Sequence, residues 1–365
     1  MRRILLTLSI NEVLDTLPQD EIIVNNFIKA WKIINNPDYK KIVCSISGGS
    51  DSDDMLDICY RCDIDKKIDY VWFNTGLEYE ATKEHLRYLE EKYDIKIREI
   101  RAVKPIPVSC KEYGQPFLSK RVSNYIERLQ KHNFKWEDKP FGELLVEYCT
   151  EIPMNEAIKE GKLRKGIAEY KGKYWRGCFS ALNWWCGTTK SKRMSIHQNK
   201  WLKDFLIMNP PIDIDISDKC CKGAKKDVIH MVLKEDCYDL NIFGIRKAEG
   251  GNRSTAYKNC FDENYDSCDN YRPLFFYKNE TKIVYENHFD ICHSDCYVKY
   301  GLKRTGCAGC PFGRDFEFEL EVIQKYEPKL FAAVNYIFGK SYEYTRKYRE
   351  FVKMKNEQEK QNKMK

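Results

Sequence analysis

The stretch Lys41-Ile-Val-Cys-Ser-Ile-Ser-Gly-Gly-Ser-Asp-Ser-Asp53 constrains this chain more than any other. Its apolar run, Ile42, Val43, Cys44 and Ile46, reads as a buried strand. It breaks into Ser47-Gly48-Gly49-Ser50-Asp51-Ser52, where two glycines remove Cβ atoms at a sharp turn. From Asp53 onward Met55, Leu56, Ile58 and Cys59 recur at helical spacing. A strand, a Gly/Ser loop and a helix start aim backbone N–H groups and the positive end of a helix dipole at one place. Phosphate oxygens suit that place. The Walker A spacing and its lysine are absent.

The flanking sequence repeats the strand-to-helix pattern. Ile68 to Phe73 is a second apolar strand running into the polar turn Asn74-Thr75-Gly76. Glu80 to Tyr93 is helical, and Ile95 to Ile100 alternates as a third strand. This order predicts an α/β fold with a doubly wound parallel sheet. Ligands of such sheets bind beyond the carboxyl ends of the strands. Ser47-Gly48-Gly49 and Asn74-Thr75-Gly76 are therefore expected to line one crevice.

With 365 residues, 42% hydrophobic and 32% charged, the chain has the composition of an ordinary globular protein. No apolar run approaches a membrane span. The basic start followed by Ile4 to Ile10 is read as structure rather than an export signal, with a cytoplasmic address expected. The expected division is an N-terminal helix over 1–38, a first part of the core over 39–103 and a helical basic and aromatic insertion over 104–205. A second part of the core with the cysteines follows over 206–313, and C-terminal helices with a frayed tail over 314–365. Residues 11–38 read as one amphipathic helix. In the insertion Lys162, Arg164, Lys165, Lys171, Lys173 and Arg176 lie near Trp175, Trp184 and Trp185. A nucleic-acid face with stacking aromatics is one reading; a solvated helical insertion with core tryptophans is the one favoured. The net charge of +7 fits polyanionic partners without choosing among them.

Sixteen cysteines in a chain with a cytosolic address suggest a metal or a cluster rather than disulfides. Cys307 and Cys310 form a C-x-x-C, and Cys220-Cys221 is an adjacent pair. Four thiolates suit zinc or a [4Fe–4S] cluster. Adjacent cysteines must splay to reach one tetrahedral ion but meet separate corners of a cubane, so the cluster is favoured. Cys292 and Cys296 compete for the same role. Cys44, Cys59 and Cys149 are expected as small core hydrophobes.

The loop Ser47, Gly48, Gly49, Asp51 and Ser52 resembles the Ser-Gly-Gly-x-Asp-Ser PP-loop of the adenine nucleotide alpha-hydrolase-like superfamily, which includes the phosphoadenosine phosphosulfate (PAPS) reductase family. The resemblance extends to Asn74-Thr75-Gly76, the Cys-Cys…Cys-x-x-Cys order, and Gly244-Ile245-Arg246 with Glu249 and Arg253. It implies that Ser47 to Ser52, Asn74, Thr75, Gly76 and, more distantly, Lys120 contact ATP or a PAPS-type adenine nucleotide. Asp51 would stand by a Mg²⁺–pyrophosphate, with Arg246 and Arg253 on the anionic end of the substrate. Cys220, Cys221, Cys307 and Cys310 would hold the cluster. The family's C-terminal Glu-Cys-Gly-Leu-His nucleophile is absent, since no cysteine follows Cys310. The resemblance therefore implies ATP-dependent adenylation coupled to sulfur transfer, with an electron or sulfur donor protein and a tRNA or DNA acceptor among the partners. Sulfonucleotide reduction through a partner thiol is the alternative, and a non-catalytic nucleotide sensor the third reading.

Overall fold

The computed structural model describes residues 10–149, 176–250, 256–264 and 268–364. Arg253 lies outside them, as do Lys162, Arg164, Lys165, Lys171, Lys173 and Trp175 of the insertion. The helices in chain order are α1 (Ile10–Asp15), α2 (Glu21–Ile34), α3 (Ser50–Cys62), α4 (Glu80–Tyr93), α5 (Ile106–Tyr113), α6 (Lys120–Gln130) and α7 (Phe141–Tyr148). They continue with α8 (Arg176–Trp185), α9 (Leu202–Met208), α10 (Asp227–Glu235), α11 (Asn279–Phe289), α12 (Asp295–Val298), α13 (Phe316–Tyr326) and α14 (Pro328–Met364). The strands are β1 (Ile42–Ile46), β2 (Ile68–Asn74), β3 (Ile97–Arg101), β4 (Leu240–Phe243), β5 (Phe261–Asp262) and β6 (Asp269–Tyr271). The chain folds as two compact units, residues 1–106, 222–308 and 318–331 in the first and residues 107–221, 309–317 and 332–365 in the second.

The first unit is a six-stranded sheet in the order β3-β2-β1-β4-β6-β5. All neighbours are parallel except β5 with β6. The doubly wound sheet expected from the alternation is present. The two short strands β5 and β6 are too brief to show a period. Strand β1 is central, with Ile42 opposite Ile68 on one side and Leu240 on the other. Its Ile42, Val43 and Cys44 are fully buried, as a strand covered on both faces requires. Helix α2 packs Ile23, Phe27, Ala30 and Ile34 into this core. The single helix expected over 11–38 is instead two. Pro18, which has no N–H, sits in the gap, and the Asp20 carboxylate accepts the Ile23 N–H to start α2 afresh.

The second unit is helical around its own core, which includes Phe117, Ile126, Leu182, Trp184, Trp185, Phe205 and Phe351. Trp184 and Trp185 are fully buried, and the Trp185 indole N–H donates to the Glu137 carbonyl. These two tryptophans are core residues and offer no stacking face. The tail expected to fray from Lys353 is instead the end of α14. Lys, Glu, Gln and Met are strong helix formers, and Glu359 accepts from both Lys363 and Lys200. Among the described residues no helix is long and apolar enough to cross a membrane.

Candidate functional site

The loop after β1 is built by hydrogen bonds among its own residues. The Ser47 N–H donates to Ser52 Oγ at 2.9 Å, and the Gly49 N–H to Ser47 Oγ at 3.4 Å. The Ser52 and Asp53 N–H groups return to the Gly49 carbonyl at 2.7 and 3.1 Å. Gly48 has φ +65°, and a Cβ there would stand 2.7 Å from Thr82 Cγ2 on α4. Glycine meets both demands. Gly49 caps α3 without a side chain, so the N-terminus of the helix lies at the loop with no capping side chain over it. The mouth opens on a cavity of about 460 Å³ whose lining includes Ser47, Gly49, Asp51, Ser52, Arg246, Lys225 and Arg304. Cations and the start of α3 meet there beside the carboxylates of Asp51, Glu78 and Glu249, an arrangement that suits an anion.

Ser45 of β1 pairs with Phe243 of β4, so the segment after β4 reaches the same end of the sheet. A Cβ on Gly244 would stand 3.3 Å from the Asp51 carbonyl. This close approach delivers Arg246, whose Nε–H donates to Asp51 Oδ1 at 2.9 Å and whose Nη1 donates to Asn279. The Glu249 carboxylate accepts the Arg246 N–H and holds the turn. Lys282 Nζ stands 3.3 Å from the same Asp51 oxygen. Burial pushes the Asp51 carboxyl up, but Lys282 and Arg246 outweigh it and hold it below the ordinary value. Asp51, which the resemblance sets beside a Mg²⁺–pyrophosphate, is thus an anchor for two cations in the structure.

The Asn74-Thr75-Gly76 turn is organised inward. Asn74 Oδ1 accepts the Gly76 N–H at 2.8 Å, while its amide donates to Glu99. Glu78 accepts both the N–H and the hydroxyl of Thr75. Thr75 is fully buried. The residues of this region that line the cavity are Trp72, Phe73, Glu78 and Thr82, and Asn74, Thr75 and Gly76, expected to line the crevice, are not among them.

Beneath the loop α3 carries an acidic network that the sequence reading missed. Asp53, Asp54 and Asp57 are each at most 1% exposed. Lys282 Nζ lies 2.5 Å from Asp54 and 2.6 Å from Glu286. His293 bridges Asp53 through Nδ1 at 2.8 Å and Glu286 through Nε2 at 2.6 Å. His85 Nε2 stands 3.0 Å from Asp53 Oδ1, off the hydrogen-bond axis. Asp57 takes Arg61, Tyr93 and Tyr285. Burial pushes the Asp54 carboxyl up to about 8, with Lys282 pulling against it. Burial pulls His293 down, but Asp53 and Glu286 outweigh it and raise the imidazole to about 9. Asp54, Glu286 and His293 have the mutual spacing of a cation site. The Lys282 ammonium supplies the positive charge there. Four aspartates within seven residues of an apolar-faced helix were the available signal.

Two hydroxyls also escaped the sequence. Tyr297 OH and Thr305 Oγ1 bond each other at 2.9 Å, and each stands 3.2 Å from where a Cβ on Gly49 would be. The Ser50 N–H donates to the Tyr297 hydroxyl, so a protein oxygen meets the loop's helix start.

The second unit gathers thiols. Cys220 hydrogen-bonds Cys110 and Cys221 and lies close enough to Cys310 to feel its charge. Its contact with Cys110 and its burial push the thiol well above its ordinary range, while Cys221 pulls it down. Cys110 and Cys220 are buried, and Cys221 and Cys310 half-buried. The donor set therefore suits a thiophilic group. Cys307 lies in the first unit, three residues before Cys310 in sequence. Cys292, a competitor by spacing, is exposed, and its partner Cys296 is buried beside Thr82. Cys44, Cys59 and Cys149 are buried. Lys120 opens α6 in the second unit as an exposed side chain.

No protein-family model and no curated protein matches the chain. Solved structures do. PAPS reductase from Candida auris, in a phosphate complex, matches with a TM-score of 0.37 and 12% identity, covering 83% of this chain and 97% of its own. The U34-tRNA thiolase NcsA from Methanococcus maripaludis, with its [4Fe-4S] cluster, matches at 0.34 and 12%, covering 91% of this chain and 79% of its own. An NH3-dependent NAD synthetase from Campylobacter jejuni, with nitrate, matches at 0.31 and 11%, covering 90% of this chain and 96% of its own. All three are members of the superfamily that the Ser47–Ser52 loop resembles. TM-scores below 0.5 transfer no residue roles, and the functional reading stands on the geometry of this chain.

Proposed function

We propose that the first unit binds an adenine nucleotide by its phosphates and that the protein adenylates an acceptor, releasing pyrophosphate, in a sulfur-transfer reaction. The observation that carries this reading is the loop itself. Gly48 in a left-handed conformation and the Ser47–Ser52 latch present the α3 N-terminus to a cavity with Arg246, Lys225 and Arg304 on its wall. Attack on the α-phosphorus places negative charge on the departing pyrophosphate. Backbone N–H groups and fixed cations aimed at that charge lower the barrier without reorganising. Arg246 meets the oxygens bidentately, with Asp51 and Asn279 holding its plane. In this reading Arg253 extends the same segment.

Mg²⁺ enters as the counter-ion of the nucleotide. Asp51 Oδ1 is engaged by Arg246 and Lys282, so the carboxylate does not stand as a ready-made ligand, and no step is assigned to the metal. In the second unit Cys220, Cys221 and Cys310 fit a [4Fe–4S] cluster, with Cys307 the fourth candidate from the C-x-x-C spacing. When bound, the cluster would offer a thiophilic iron to a sulfur atom. The acceptor, in this reading, is a nucleic acid or another polyanion-compatible substrate.

The test is product analysis on the anaerobically purified protein. With ATP, Mg²⁺ and candidate tRNA or DNA acceptors it should release pyrophosphate, and with a sulfide donor added, which displaces the adenylate from the acceptor, AMP as well. With dithiothreitol or thioredoxin and PAPS or adenylylsulfate it should release no sulfite above background, because attack on a sulfonucleotide sulfur needs a thiolate beside it and the described residues that line the loop cavity include no cysteine. Sulfite from the isolated protein would establish the reductase reading instead. Tight nucleotide binding with neither product across the acceptors would favour a sensor.

A further inference from the structure

We infer that Cys110 is a ligand of the thiolate-bound cluster, a role nothing in the C-x-x-C or Cys-Cys spacing assigns to it. The inference rests on the cluster reading above and puts Cys110 in the fourth position that the C-x-x-C spacing gave to Cys307. Cys110 stands alone in sequence, more than a hundred residues before Cys220, yet the fold brings the two side chains into hydrogen-bond contact. Cys110 lies on α5, four residues before the helix gives way to Gly114. Gly114 has φ +102°, and a Cβ there would stand 2.5 Å from the Asp215 carbonyl oxygen, so only glycine lets the two backbones approach. The approach is then locked. The Gln115 N–H donates to the Asp215 carbonyl at 2.7 Å, and the Ser217 N–H to the Gln115 carbonyl at 2.9 Å, in a parallel bridge of Gln115 with Ile216. Cys220 follows Ser217 by three residues. The end of α5 and the start of the Cys220-Cys221 pair are therefore one rigid piece.

The C-x-x-C turn is fixed independently in the same unit. The Tyr342 hydroxyl of α14 donates to the Gly309 carbonyl, and a Cβ on Gly309 would meet that hydroxyl at 2.7 Å. This seats Cys310 from a third direction. Gln115 also reaches α14, where its side-chain oxygen accepts the Ser341 N–H at 3.1 Å. One helix thus braces both the Cys110 segment and the Cys310 turn. The outcome is that Cys110, Cys220, Cys221 and Cys310 all belong to the second unit. Four thiolates is the full complement of a [4Fe–4S] cluster.

The experiment uses the full chain purified without oxygen, with iron and acid-labile sulfide counted and the visible spectrum recorded. Cys110→Ala should lose at least half of the iron and most of the charge-transfer absorbance, with circular dichroism and thermal unfolding of the metal-free protein unchanged from metal-free wild type. Cys110→Ser, which keeps the volume and a weak oxygen donor, should retain some iron with a shifted spectrum. Full iron and an unaltered spectrum in Cys110→Ala would overturn the assignment of Cys110 while leaving the cluster reading intact. Wild-type protein that carries zinc, or no metal, would overturn both.

Discussion

The Ser47–Ser52 loop and the group of thiols around Cys220 are built by opposite routes. The loop is made from backbone. Six consecutive residues supply its turns, its N–H donors and its internal latch, and side chains from afar only charge its rim. The thiol cluster is made from side chains alone, drawn from α5, the Cys220-Cys221 pair and the C-x-x-C turn. A backbone site tolerates changes around it but not within it. A side-chain site tolerates local change only if the long-range braces survive. The comparison also divides the loop from the network beneath it, which is a side-chain assembly with buried charges.

The largest effect should come from that network. Lys282→Met leaves Asp51, Asp54 and Glu286 facing one another without their shared ammonium, and breaking a buried ion pair costs about 3–5 kcal/mol. Urea unfolding of the metal-free protein should show the loss. A change below about 1 kcal/mol would mean the network contributes little to holding α3 against α11.

Next is Gly49→Val. A Cβ there lies 3.2–3.3 Å from Thr305, Tyr297 and Ser47, and its methyls would fill the phosphate approach. Nucleotide affinity should fall by about 100-fold, or about 2.7 kcal/mol, while unfolding stays near wild type. Isothermal titration with ATP and with PAPS decides it, and unaltered affinity for both would move the nucleotide elsewhere. Asp51→Asn should be milder. It loosens Arg246 without removing a donor from the loop, and about tenfold weaker binding is expected, or about 1.4 kcal/mol.

The pH response follows from His293 and Asp54. His293 is held up to about 9, above its ordinary 6.5, so its contribution is complete below pH 6.5 and is lost as pH climbs through 9. Asp54, raised from 3.8 to about 8, works in the same direction, its contribution fading as pH rises to 8. The unfolding temperature should therefore decline between pH 6.5 and 9. His293→Gln should flatten that decline, and a curve that rises with pH in wild type would contradict both assignments. Smallest is Lys120→Ala, which removes one exposed charge. An exposed ionic contact is worth about 0.2–1 kcal/mol, so nucleotide affinity should change by about fivefold at most.

What the sequence made legible divides along the same line. Ser47 to Ser52 could be read because backbone sites are contiguous, and β1, β2 and α4 because their apolar periods run over several turns or pleats. The antiparallel edge pair β5 and β6 spans two and three residues, too few for a period. The tail beyond Lys353 looked unstructured because it is polar on every side, yet helix propensity and Glu359 pairing keep it helical. The burial of Asp53, Asp54 and Asp57 was not legible, since a buried aspartate is visible only through its long-range partners. Those partners, Lys282, Glu286, His293 and Tyr285, lie more than 220 residues away. Cys110 was invisible for the same reason. Trp184 and Trp185 could have been stacking platforms or core, and burial decides for core.

The position of β1 sets a timetable for the nascent chain. Its partner on one side, β2, is made within thirty residues, but its other partner, β4, begins at Leu240. At about 5–20 residues per second, synthesis leaves one edge of β1 open for on the order of ten seconds. An apolar strand with an unpaired edge is a template for wrong pairing throughout that wait. Residues 107–221 emerge during the same interval and belong to the other unit. Slow translation or a crowded lysate should therefore harm this chain more than a contiguous sheet of equal size. The Ser47–Ser52 loop gains its wall only when Gly244 arrives beside Asp51, nearly two hundred residues later.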